Sequence, residues 1–341
     1  MNRFIWLVRR ELWEHRAIWI APAVVLALLA LAAATGNVNL GDVSVDTSAR
    51  ISELPVEERE QLRIEIEKKF GDRADDAMER LEQGEGGTLL SLLPPEKRIA
   101  LVAVVYAMLG VLMSIVLGSI AFFYALDALY SDRRDRSVLF WKSLPLSDAE
   151  TVLAKFATAA FVIPLVALCA TLLAQLVVAT GGSIKLALAG DPAGLMWNPQ
   201  ALLAGASTAV VIAVISVLWY SPLVAYLLLA SAWAPKAPFL WGIVPPVAGV
   251  VLERIATGTD HLGDFLVWRL FGPLKALDDE DDDRAGPGLV IDSDNLPGTA
   301  TAIAERLVDF IASPGMILGL VAGVAMLGAA ISLRRYRDEN T

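Results

Sequence analysis

Residues 99–126 read Ile99-Ala-Leu-Val-Ala-Val-Val-Tyr106-Ala-Met-Leu-Gly110-Val-Leu-Met-Ser114-Ile-Val-Leu-Gly118-Ser-Ile-Ala-Phe-Phe-Tyr124-Ala-Leu126, without one Asp, Glu, Lys or Arg. A helix that crosses the hydrocarbon core of a bilayer needs about 20 mostly apolar residues. A charge at mid-bilayer costs about 3 kcal/mol on insertion scales. Residues 17–41, 156–184, 192–235 and 310–333 are also free of charge, and a shorter stretch, 237–252, lies between Lys236 and Glu253. With 56% hydrophobic residues, the chain is too apolar for an ordinary soluble domain. The fold expected is an all-α polytopic membrane protein with about six crossings.

Other classes fall away on composition. A net charge of −10 argues against a nucleic-acid partner, which calls for a basic face. Cys169 is the only cysteine, so neither an internal disulfide nor a thiolate metal cluster is expected, and it reads as small core filler. Two histidines, His15 and His261, do not make a usual zinc site, and no metal is expected. No Gly-x-x-x-x-Gly-Lys-[Ser/Thr] phosphate loop occurs, nor His-Glu-x-x-His or Gly-x-Ser-x-Gly. The chain is therefore read as no enzyme, with no cofactor of its own.

Charge placement sets the expected topology. Crossings are placed at 17–35, 99–128, 155–180, 203–234, 239–256 and 314–333. Arg9, Arg10, Arg16, Arg133, Arg134, Arg136, Arg334, Arg335 and Arg337 then share one side, which the positive-inside rule makes cytoplasmic together with both termini. Residues 129–154, 235–238 and 334–341 are the other cytoplasmic pieces; 36–98, 181–202 and 257–313 are outside. The 203–234 helix, about 48 Å long, is expected to kink at Pro222. The alternative is a hairpin at Ser221-Pro222 with 239–256 re-entrant around Pro245-Pro246. The long helix is preferred because it keeps Lys236 inside.

Residues 1–16 read as an amphipathic interfacial helix. Phe4, Trp6, Leu7 and Trp13 are its anchors, and Arg3, Arg9, Arg10, Glu11, Glu14, His15 and Arg16 its polar surface. Ala32-x-Ala34 resembles a signal cleavage site, but Glu11, Glu14 and an apolar run of about 18 residues argue for a retained helix. In the first outer segment, Pro55, Glu57 and Glu58 suit a helix start, and Leu62, Ile66 and Phe70 recur at i, i+4, i+8 over 55–82, making a small helical cap. The last outer segment carries Asp278–Asp283; Asp281, Asp283, Gly286 and Asp292 partly match a calcium loop, but Ala285 and Pro287 break it. A solvated acidic loop is expected there, with Phe265, Leu266, Trp268, Leu270 and Phe271 at the outer interface.

The loop between the second and third crossings is the most distinctive. It runs Tyr130-Ser-Asp-Arg-Arg-Asp-Arg-Ser137, then Val-Leu-Phe-Trp141-Lys142-Ser-Leu144-Pro145-Leu-Ser147-Asp148-Ala-Glu150, with Lys155 downstream. Ser147 and Glu150 have capping-box spacing. The apolar patch Val138–Trp141 is costly in a short water-facing loop unless it packs on the membrane surface or a soluble partner covers it.

This pattern resembles the permease subunit of a type-2 class ABC exporter: an acidic/basic turn, a small residue, a Ser-x-Pro-apolar-Ser step and a downstream Lys. The overall order, a basic leader and a first crossing before a large outer segment and five further crossings, is similar too. In that family the loop holds a coupling helix seated in a groove of the nucleotide-binding subunit. The resemblance implies that role for Arg133, Arg134, Asp135, Arg136, Trp141, Lys142, Leu144, Pro145 and Asp148. It also implies a separate cytoplasmic ATPase carrying ATP and Mg²⁺, a second permease copy (homo- or heterodimer), an inner-membrane location and an amphipathic or apolar cargo. The long acidic final outer loop departs from the family.

Within the bundle, Gly315, Gly319 and Gly323 share one face of the last helix and suit close helix packing, within the protomer or across a dimer. Tyr106, Ser114 and Gln175 are candidates for a substrate path, with ordinary packing as the alternative. The rival functions are a membrane-anchored enzyme or assembly factor acting through its outer segments, and a secondary transporter. The first wants clustered catalytic groups outside, the second an inverted repeat and a buried coupling carboxylate; the sequence displays neither.

Overall fold

The computed structural model describes residues 3–35, 60, 64, 95–135, 146–188, 191–276 and 312–337. The predicted outer cap over 55–82, the acidic run 278–283, and Arg136, Trp141, Lys142, Leu144 and Pro145 lie outside these residues. Among the described residues there is no strand. The helices are α1 (Arg3–Glu14), α2 (Ala17–Thr35), α3 (Pro95–Arg134), α4 (Asp148–Ala157), α5 (Ile163–Leu188), α6 (Pro199–Trp219), α7 (Ser221–Trp233), α8 (Pro238–Thr257), α9 (His261–Ala276) and α10 (Pro314–Arg337). Six spans are long and apolar enough to cross a membrane: Ala17–Thr35, Pro95–Arg134, Asp148–Leu188, Ala193–Trp219, Pro238–Thr257 and Pro314–Tyr336. The protein is an all-α polytopic membrane protein.

α3 is the central rod. Its 40 residues extend about 60 Å, twice the hydrocarbon thickness, so residues 129–134, expected as loop, continue the helix. α2, α5, α6 and α7 pack along it. Two apolar cores line up on its length. One gathers Val102, Tyr106, Leu109 and Met113 with Ala170, Ala174 and Ala201. The other gathers Tyr124, Leu126 and Leu129 with Ile163, Ala167, Val224 and Leu228. The many alanines let backbones approach closely where lipid offers no hydrophobic driving force.

α4 and α5 are joined through a π-turn, Thr158–Val162, in which the Ile163 amide reaches back to the Thr158 carbonyl. Pro164 offers no amide to the preceding turn, which favours such a bulge. The result is one rod over Asp148–Leu188: the helix expected to start after Ser147 runs into the third crossing, and residues 181–188 are helix rather than loop. Its start carries the expected capping box: the Glu150 amide donates to Ser147 Oγ, and the Ser147 amide donates to Glu150.

α6 and α7 follow α3 in the same sense: Gly205 lies beside Tyr106, Ile212 beside Gly110, and Ser231 beside Leu129 and Tyr130. The path breaks at Tyr220, ahead of Pro222, without reversing. α8 is peripheral, with Phe239 against Phe122 and Phe123. It ends at Gly258, whose φ of 70° favours glycine. There the chain turns into α9, which was expected as loop. Glu253 accepts from the amides of His261 and Leu262 and so caps it.

The glycine face of α10 packs within the protomer. A Cβ at Gly315 would lie 2.3 Å from Trp268, at Gly319 2.8 Å from the Arg269 guanidinium, and at Gly323 3.2 Å from Pro222. Cys169, expected in the core, is exposed on the outside of α5.

Candidate functional site

The two ends of the 131–150 loop, the N-terminal helix and the end of α10 meet at one end of the bundle, through buried charges. Lys155, on α4, places Nζ 3.2 Å from Glu11 Oε1 on α1 and 3.4 Å from Asp132 Oδ1 on α3. Arg334, on α10, holds Asp132 Oδ2 at 2.8 Å and Asp148 Oδ1 at 3.2 Å. Arg10 reaches Glu11 at 2.6 Å, and the Tyr124 hydroxyl donates to Glu11 Oε2 at 2.9 Å. Glu11 and Lys155 are each 1% exposed, Asp132 and Arg334 each 6%. Arg10 also reaches Glu14 Oε1 at 3.3 Å, so cations and carboxylates alternate through the network.

Local chemistry explains how these groups arrive. On α1, Leu7 and Glu11 are one helical turn apart and form its buried stripe, while Trp6 and Trp13 point outward. Glu11 is thus not polar surface, as the sequence reading had it, but the inward tip of an amphipathic helix. Burial pushes its carboxyl up. The Lys155 ammonium, the Arg10 guanidinium and the Tyr124 hydroxyl more than offset this and hold it below its ordinary 4.5. His15 packs edge-on to Tyr124 at 4.6 Å. Glu11, Glu14 and His15 bring ligand atoms within 4.8 Å of one another. Both Glu11 oxygens are already engaged by cations and by Tyr124, so the trio belongs to the network and is not a cation site.

The sequence-derived docking residues divide by direction. Arg133 turns inward and donates to the carbonyls of Ser231 and Ala234 at 2.6 and 2.9 Å, capping α7 with a cation at its C-terminus. Asp148 is taken by Arg334. Both side chains thus anchor the loop's ends to the bundle. Arg134 and Asp135 pair with each other at 3.0 Å, more than half exposed.

The candidate path residues separate as well. Tyr106 is fully buried and donates to the Met196 carbonyl. Gln175 is buried beside it against Gly205, with Nε2 unpaired. Ser114 is half-buried eight residues further along α3. Tyr106 and Gln175 are core contacts between α3, α5 and α6.

The sequence reading did not assemble Glu11, Asp132, Lys155 and Arg334 into a site. The available signal was Glu11 on the Leu7 face of an amphipathic helix, together with Lys155 at the start of the charge-free stretch 156–184. No family model, curated protein or solved structure matches this chain.

Proposed function

We propose that this chain is the permease subunit of an ATP-driven type-2 class ABC exporter. It would work as a homo- or heterodimer in the inner membrane, moving an amphipathic or apolar cargo. The end of the bundle that carries Glu11 and Arg334 faces the cytoplasm, and a separate ATPase there binds ATP and Mg²⁺. One observation carries the reading: both roots of the 131–150 loop, Asp132 and Asp148, are ion-paired to other helices beneath it. A displacement imposed on that loop is passed to α10 through Arg334 and to α1 through Lys155 and Glu11, while Arg133 couples it to α7. Buried pairs of this kind resist separation, because an unpaired charge left behind costs about 3–5 kcal/mol. The loop is therefore a handle on the bundle rather than a loose connector.

Purification in detergent followed by protein identification tests this. A Walker-motif ATPase is expected to co-purify, and Trp141→Asp with Leu144→Asp should abolish the association while circular dichroism stays unchanged. Unchanged association in the double variant, or labelling of a cysteine placed at Lys142 from the outer side, would refute the proposal.

A further inference from the structure

α2 and α5 run side by side in the same direction, and near their ends away from the ion network they enclose a groove of about 700 Å³. Leu26, Ala30, Leu173, Leu176 and Ile184 line it. The helices touch at its floor: a Cβ on Gly181 would lie 2.3 Å from that of Ala33. The polar end holds Lys185 with Thr35 and Thr180. Lys185 Nζ reaches only the Ala32 carbonyl, at 3.4 Å, and has no ion-pair partner among the described residues. An ammonium carries three donors, so most of its bonding capacity is unspent.

Length and charge together say what fits. From Leu173 to Lys185 the groove runs twelve residues, about 18 Å along the helix. That is close to the roughly 15 Å depth of a single leaflet's hydrocarbon. An apolar slot one leaflet deep, ending in a cation at headgroup height, matches one amphiphile with a single acidic head.

We propose that this groove binds one anionic phospholipid of the leaflet at the Lys185 end. An acyl chain lies along Leu173, Leu176 and Ala30, and the phosphate sits on Lys185. This does not depend on the exporter reading and would hold for any function of the bundle.

Native mass spectrometry of the full chain, released from detergent, tests it with phosphatidylglycerol and phosphatidylcholine of the same acyl composition. One phosphatidylglycerol should be retained, with a preference of about fivefold over phosphatidylcholine, the scale of one basic residue near an anionic headgroup. Lys185→Met should erase the preference and Lys185→Arg keep it. Ala30→Trp, which fills the groove, should abolish retention of both lipids, with helicity unchanged by circular dichroism. Equal retention of the two lipids by the unaltered chain, a preference that survives Lys185→Met, or retention that survives Ala30→Trp would each overturn the proposal.

Discussion

Two buried cations, one packed against the first half of α10 and one carried near its end, are handled in opposite ways. Arg334, at its end, is shared between two carboxylates from α3 and α4. Arg269, on α9 beside Gly319, makes no ion pair among the described residues. Its Nη2 donates to the Trp219 carbonyl at 2.6 Å, its guanidinium lies 4.2 Å from the Trp219 ring, and its Nη1 is unpaired. Trp219 returns a bond from its indole to the Arg269 carbonyl at 2.7 Å. Trp219 closes α6, where the chain breaks before Pro222, so its carbonyl stands among those a helix end leaves unsatisfied. Arg269 is thus a cap on a helix break, held by a dipole and a π-face. Arg334 belongs to a true ionic lattice. The charges that join several helices sit at the loop end of the bundle, and the lone charge sits at the kink.

The contrast breaks first at Lys155. Lys155→Met leaves Glu11 and Asp132 buried with one fewer cation and should cost about 3–5 kcal/mol. Thermal unfolding in detergent measures this. Adding Glu11→Gln should recover part of the loss, because the amide still accepts from Tyr124; strict additivity of the two changes would deny the coupling. The effect at the kink is smaller. Arg269→Ala should cost about 2–3 kcal/mol, from a charged hydrogen bond and a desolvated cation–π contact. Arg269→Lys should recover little, since an ammonium cannot stack flat on Trp219 while bonding its carbonyl.

Acidification sharpens the comparison with the smallest effect. Glu11 titrates below its ordinary 4.5 in the folded chain. Its contribution is therefore fully present above pH 4.5 and is lost as pH falls through the folded value. The unfolding temperature should fall on that acid limb, less steeply in Glu11→Gln, while Arg269→Ala should follow the parent curve. A parent curve that Glu11→Gln reproduces would remove Glu11 from the network.

Legibility differed along the chain for physical reasons. Membrane segments were plain because lipid tolerates only long runs without charge, and the capping box at Ser147 and Glu150 was plain because it is local. The extra turns at 129–134 and 181–188 were not: these residues are polar or mixed, and their helicity is carried by neighbours. The glycine face of α10 was visible as a packing surface, but its partners, Trp268, Arg269 and Pro222, were not. Asp132, Arg133, Arg134 and Asp135 look alike as text, yet two turn inward and two outward.

Hydropathy alone determined that this is a bundle of membrane helices, because the cost of burying charge in lipid is paid residue by residue and shows in any window of sequence. Which charges pair could be decided only in three dimensions. The ion-paired partners among Glu11, Asp132, Lys155 and Arg334 lie 23 to 202 positions apart in sequence. Their attraction becomes large only when four helices bring them together in a space that excludes water.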